Sequence, residues 1–180
     1  PTVIVYEEET TIHSTLGWYN TETEKSMLLN RSRIVHVDGQ TMTGDTIFYD
    51  KRSGYGRALR NIASTDSTNH ITLYGHYCEM HENGPKGKNS GFATDSALMV
   101  DWSDSLVYTY MHGDTLYTSE VPYRYYELRE RDSILIDSVL TYQPPDTLWK
   151  DSVYQQIRAV HHVRTYREDM QSVADSATYN

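Results

Sequence analysis

The stretch Gly44-Asp45-Thr46-Ile47-Phe48-Tyr49 joins a turn-type dipeptide to a run of β-branched and aromatic residues. Its first four positions are a small residue, Asp, a hydroxyl residue and an apolar residue. The same pattern returns at Thr94-Asp95-Ser96-Ala97, Gly113-Asp114-Thr115-Leu116 and Ala174-Asp175-Ser176-Ala177. Asp and hydroxyl side chains bond nearby backbone groups, so each copy predicts a structural turn, at Asp45, Asp95, Asp114 and Asp175, that leads into a buried strand.

A second element occurs twice, as Ala58-Leu59-Arg60-Asn61-Ile62 and Ala159-Val160-His161-His162-Val163. We call the first pattern the Asp element and this second one the Ala element. The Asp residues of successive Asp elements are 50, 19 and 61 residues apart. A strict β-helix would keep a fixed period, so the irregular spacing favours a loosely repeated jellyroll or solenoid with insertions.

Composition and periodicity both predict an all-β fold. The chain has 16 Tyr but only 2 Phe and 3 Trp, and aromatic and β-branched residues suit a pleated, half-buried surface. Short alternating runs recur at about ten-residue intervals. Examples are 33–37, 46–49, 70–74 and 163–166.

Turn chemistry separates these runs at Asp38-Gly39, at 50–54, at 66–69 and in the Gly-rich loop 83–91. Residues 119–152 interrupt the rhythm, since they contain three prolines and the charged run Glu127 to Asp132. We expect a single domain over residues 1–180 with an excursion at about 119–152, where a short helix is one alternative.

The net charge of −9 excludes a nucleic-acid binder, because no Lys/Arg cluster stands clear of neighbouring acids. No apolar run reaches the length of a membrane span. Cys78 is the only cysteine, so an intrachain disulfide is excluded. Pro1 is not an initiator Met, which is consistent with removal of a signal peptide.

The Asp element, the Ala element and the strand Ile71-Thr72-Leu73-Tyr74-Gly75 together resemble the OstA-like repeats of the LptA-like periplasmic lipopolysaccharide-transport family. The segment 157–176 is the closest match. The resemblance spans about 25–118 and 153–180. The excursion and the strong acidity depart from the simplest members, and the match ends inside a repeat, so we expect the natural chain to continue beyond Asn180.

The resemblance implies a folded-over antiparallel β-jellyroll, or "β-taco", with open strand edges and an apolar groove for the acyl chains of a lipid. It also implies a periplasmic location, edge-strand docking onto other jellyroll domains of the transport bridge, head-to-tail self-association, and no cofactor or catalytic residue. The groove residues that we predict are Ile47, Ile62, Ile71, Leu73, Val100, Leu116, Ile157 and Val163.

Other kinds of site have weaker support. Paired carboxylates can do acid–base chemistry, but the four Asp recur in one local pattern, which favours a structural role. His76, Cys78, Glu79 and His81 are metal-ligand types; alternation in a strand puts His76 and Cys78 on one face and the other two on the opposite face, so we predict no metal site. The Gly- and Lys-rich loop lacks the glycine spacing of a phosphate-binding loop.

Ten of the 14 Asp precede Ser or Thr, mostly with an aliphatic residue third, as in Asp137-Ser138-Val139 and Asp151-Ser152-Val153. This resembles an O-glycosylation sequon of some bacterial periplasmic proteins, while turn chemistry beside strands is the alternative. We expect a non-enzymatic lipid-binding bridge domain. The alternatives are a docking scaffold of the same fold without lipid and a carbohydrate-active β-solenoid enzyme.

Overall fold

The computed structural model describes residues 2–6, 10–82, 89–129, 134–136, 139–141 and 145–180. Its elements are thirteen strands: β1 (Thr2–Tyr6), β2 (Thr10–Ser14), β3 (Leu16–Asn20), β4 (Lys25–His36), β5 (Gln40–Asp50), β6 (Tyr55–Asp66), β7 (Ile71–His81), β8 (Ser90–Asp101), β9 (Thr109–Arg129), β10 (Ile134–Ile136), β11 (Val139–Thr141), β12 (Asp146–Arg167) and β13 (Met170–Tyr179).

Eleven strands form one sheet in the order β1-β2-β4-β5-β6-β7-β8-β9-β12-β13, with β3 also paired to β4. The pairing is mostly antiparallel between neighbours, and the sheet does not close on itself. The all-β prediction is therefore confirmed. None of the described residues forms a helix that is long and apolar enough to cross a membrane.

Three of the predicted turns connect consecutive strands, and an Asp begins each. Asp38 accepts a hydrogen bond from the Gln40 amide at 2.9 Å before β5. Asp50 accepts from the Arg52 amide at 3.2 Å, and Asp66 accepts from the Thr68 amide at 3.0 Å. These bonds replace backbone partners that the strand ends lose, as the sequence predicted. Most of the predicted loop 83–91 lies outside the described residues.

Among the described residues, four long strands turn through two consecutive left-handed residues that lie inside the strand. The pairs, with φ between 49° and 64°, are Asn30-Arg31, Arg60-Asn61, Asp95-Ser96 and His161-His162. A single residue of the next strand lies opposite each pair: Asp45, His76, Asp114 and Asp175 in turn. We call this row of bulges the crease, since each one lets a strand bend without leaving the sheet.

The same burial pattern surrounds every crease pair: the residue two positions before the pair and the residue directly after it are buried, and the pair itself is exposed. Small residues make this possible. A Cβ added to Gly113 would lie 3.3 Å from the Cβ of Ala159, and one added to Gly75 would lie 3.4 Å from the Cβ of Ala93. Backbones therefore approach closely along the inside of the crease.

The crease divides the long strands into two arms. The first arm contains 16–20, 25–29, 46–50, 55–59, 77–81, 90–94 and 115–119; the second contains 32–36, 40–43, 62–66, 71–75, 97–101 and 109–113. Both arms contribute to each core cluster. Ile47 and Ala58 of the first arm pack with Ile62 of the second, and Leu116 of the first packs with Met99 and Met111 of the second.

The chain divides into two compact units, residues 1–119 with 156–180, and residues 120–155. The second unit contains the far ends of β9 and β12 and the two-stranded sheet of β10 and β11. Arg124 pairs with Asp151 at 2.8 Å within it. Its described residues include no helix, so the expectation of a short helix is wrong over 120–129 and 145–155. There the alternating side chains continue the strands.

Candidate functional site

A cavity of about 400 Å³ opens in the first unit among residues of β8, β9, β12, β13 and the loop 102–108. Met111, Ala177 and Tyr179 line it, and the same three residues belong to the core or pack against it. Polar residues complete the wall, among them Asp101, Thr165 and Arg167. The cavity is therefore an opening onto the apolar interior with polar groups around it, within the size range of ligand pockets.

Asp101 and Tyr179 are joined by a hydrogen bond that the tyrosine hydroxyl donates. The Asp101 carboxylate also accepts from the Ser103 amide at 2.8 Å. Burial alone would raise the pKa of Asp101, but these hydrogen bonds outweigh it and hold the pKa below its usual value. Burial and the bond to Asp101 raise the pKa of Tyr179 to about 12. The last strand is thereby fixed to the end of β8 with a neutral phenol and an ionised carboxylate.

Arg167 supplies a positive charge to the cavity wall. Its Nε lies 3.4 Å from Asp169 Oδ1, and its side chain is 45% exposed. An exposed ion pair of this kind is weak in water, so Arg167 retains donors for an anionic group in the cavity mouth. The lining thus combines an apolar floor with two carboxylates, Asp101 and Asp104, and one guanidinium, Arg167.

The eight predicted groove residues lie mostly in the core, and none of them lines the cavity. Ile47 and Ile62 are 2% and 3% exposed in one cluster. Leu116, Ile157 and Val163 are at most 3% exposed in the other cluster, where Ile71 and Leu73 pack against them. The structure thus places seven of the eight in or against two separate core clusters.

Val100 is the exception. It lies next to Met99, which is fully buried and opposite Leu73 in the neighbouring strand. Successive side chains of a strand point to opposite faces, so Val100 faces away from the core. Simple hydrophobicity did not distinguish the two residues, because both faces of β8 carry apolar side chains.

The four Asp of the repeated element all lie at the crease but in two different environments. Asp45 accepts a bond from the Asn61 side chain at 2.8 Å, and Asp114 contacts His162 Nδ1 at 2.8 Å. Asp175 lies opposite the His161-His162 pair, whereas Asp95 is itself left-handed. The carboxylates belong to four different strands, and the bonded ones orient neighbouring crease residues.

Among the described residues, no three His, Cys, Asp or Glu come together as a metal-binding group. His76 is exposed at the crease, while Cys78 packs against the core. The prediction that these two share a face is therefore wrong, because the strand turns between Gly75 and Tyr77. Burial, and secondarily the charge of Glu79, raise the pKa of Cys78 to about 11, so its thiol stays protonated at neutral pH.

Sequence reasoning missed the cavity residues Met111, Asp101 and Arg167. A signal was present in the sequence, because a tyrosine lies two positions after the Asp element in two of its four copies, as Tyr49 and Tyr179. Tyr179 bonds Asp101, and Tyr49 likewise donates to Glu82 at 2.8 Å. Each repeated Tyr therefore bonds a carboxylate from the end of a different strand.

Comparison with protein-family models, curated proteins and solved structures finds no match to this chain.

Proposed function

We propose that this chain is a non-enzymatic lipid-binding domain of a periplasmic bridge that carries lipopolysaccharide toward the outer membrane. The bend in the strands supports this proposal, because two arms with a common apolar interior are what a folded-over jellyroll, or β-taco, requires. The resemblance of the repeats to the OstA-like family supports it independently. Other jellyroll domains, or copies of this chain, would then be its partners through edge strands.

The cavity is the single observation that carries the lipid part of the proposal. An acyl segment entering it would contact Met111 and Ala177 and gain about 0.8 kcal/mol for each CH₂ removed from water. Deeper entry requires the arms to separate, since the core residues beyond Met111 are packed. Arg167 would pair with a phosphate of the head group at the mouth.

Photo-crosslinking with purified lipopolysaccharide tests this. A crosslinking amino acid at Met111 or Ala177 is expected to capture the lipid, and one at Val37, which is 74% exposed, is not. Saturating lipopolysaccharide with no capture at either cavity position would refute lipid binding at this site.

Two arginines of β12 provide a second test and its matched control. Arg167→Ala removes a cation that lines the cavity, and Arg164→Ala removes an exposed one that does not. A basic residue beside an anionic lipid contributes about 1 kcal/mol, so we expect Arg167→Ala to weaken binding about fivefold and Arg164→Ala to leave it unchanged. Equal losses in both variants would indicate non-specific attraction.

A docking scaffold without lipid is the second candidate, and one observation favours it. Five predicted groove residues are at most 3% exposed, so much of the interior is filled by the chain's own side chains. In that case, association through edge strands would persist while lipopolysaccharide gave no crosslink.

A further inference from the structure

The outer face of the first arm carries a continuous row of residues across seven strands. Cross-strand partners place these side chains next to one another: Trp18, Met27, Phe48, Arg57, Glu79, Phe92 and Tyr117. Ile47 and Leu28 precede or follow members of this row in the strands and point into the core. The row therefore lies on the opposite face, and we call it the aromatic row.

This face is open to solvent. None of the residues in the aromatic row, or in the two same-face rows beside it, is buried. Trp18 and Tyr117, at its two ends, are each 48% exposed. Both phenylalanines of the chain lie in the row, while the cores are built from Ala, Leu, Ile, Val and Met. Placing rings outside and aliphatic residues inside reverses the usual preference for buried Phe.

The aromatic and charged side chains of this face contact one another. The Phe92 ring lies 5.9 Å from Tyr77 and 6.1 Å from Tyr117. The Arg57 guanidinium lies 6.0 Å from the centre of the Phe48 ring. Tyr77 donates a hydrogen bond to Glu79, and this bond, first among several causes, lowers the pKa of Glu79 so that it stays ionised. Arg57, a hydrogen-bond donor, and Glu79, an acceptor, thus lie next to each other in the middle of the aromatic row.

The size of the face around the aromatic row and the charge of the chain restrict what this face can bind. The aromatic row crosses six gaps between neighbouring strands, each about 4.8 Å wide, and the same-face row on either side lies about 6.7 Å away along the strands. The product of these two dimensions is a face of about 400 Å². A stable dimer needs about 800 Å² from each partner, so a second copy is disfavoured. An open sheet face cannot enclose a small molecule, and a chain of net charge −9 does not favour an anionic membrane.

We propose that the aromatic row binds an extended, uncharged β-1,4-linked glycan laid across the strands. The flat faces of its sugar rings present C–H groups, which pack against aromatic faces. Its hydroxyl groups lie at the ring edges, where Arg57 donates and the Glu79 carboxylate accepts hydrogen bonds. This site is on the opposite side of the sheet from the lipid interior and is independent of lipid binding.

The test is calorimetric titration of the full chain with cellohexaose and with chitohexaose. Tyr117→Ala is expected to weaken binding about threefold to tenfold, the effect of losing one aromatic contact. Glu79→Gln keeps the shape of the side chain but removes the anionic acceptor, and we expect a loss of similar size. The matched control is Tyr74→Ala, because Tyr74 is 42% exposed in the second arm and its loss should change nothing.

Circular dichroism and the thermal midpoint of each variant report whether the fold is retained. Absence of binding to both oligosaccharides overturns the proposal, as does an equal loss in Tyr74→Ala. A dimer that forms with rising concentration and disappears in Tyr117→Ala would also overturn it, since the face would then be an interface between copies.

Discussion

The crease makes a prediction about backbone conformation that can be tested at one serine. Ser96 has a φ of 64° and is exposed, so its side chain contributes little packing that a substitution would remove. L-residues pay about 1–2 kcal/mol in the left-handed region and β-branched ones more, whereas Gly enters it freely. We therefore expect Ser96→Gly to be more stable than Ser96→Val by about 2 kcal/mol in the free energy of unfolding.

Ser176 provides the matched control. It is also an exposed serine within a strand, opposite Val160, and its φ is not positive. In an extended strand, Val is favoured over Gly by about 1 kcal/mol. The order of the two substitutions should therefore reverse between Ser96 and Ser176.

Urea denaturation of the four variants, followed by circular dichroism, measures the differences directly. The comparison within each site cancels the effect of losing the serine itself. If Val were preferred at both sites, the left-handed pair would not be required at the crease, and the account of the bend would be refuted.

Three further predictions follow from burial and ionisation. Leu116→Ala should lower the free energy of unfolding by about 2–5 kcal/mol, because the side chain is fully buried, and urea denaturation measures the loss. Since folding raises the pKa of Tyr179 from 10.0 to about 12, the stability that this adds is complete below pH 10 and is lost as pH rises through 12. The thermal midpoint of Tyr179→Phe should then fall less steeply than that of the native chain over this window. The Cys78 thiol should react much more slowly with a thiol reagent at pH 8 in the folded chain than in urea, as its pKa of about 11 implies.

The sequence was sufficient for the strands outside residues 119–152 and for three of the turns between them. The alternating runs and the Asp-led turns at Asp38, Asp50 and Asp66 depend on local chemistry, which one sequence contains. The all-β class followed from them.

The crease could be predicted only in part from the sequence. Its left-handed pairs are Asn-Arg, Arg-Asn, Asp-Ser and His-His, which share no side-chain chemistry. Crease residues Asn30, Asp45, Arg60, His76, Asp95 and Asp114 are 15, 15, 16, 19 and 19 residues apart, close to regular. The repeated Asp gave irregular spacings because it occupies some bends and is absent from others.

The cavity could not be predicted at all. Asp101 and Tyr179 are separated by 78 residues in the chain, and they meet only because β9 pairs with β12 across the excursion. Strand order over such a distance depends on packing between elements, which periodicity along one chain does not encode.

Every bend in the crease is supported by the strand on either side of it, and this has a consequence for how the fold comes apart. A sheet held by nearest-neighbour contacts behaves as a one-dimensional array, in which structure is lost from the ends inward. Here the ends are β1 and β13. Amide hydrogen exchange should therefore be fastest in β1 and β13, slow down strand by strand toward the centre of the sheet, and be slowest near β6 and β7. Losing an outer strand would then shorten the array and leave the inner strands assembled.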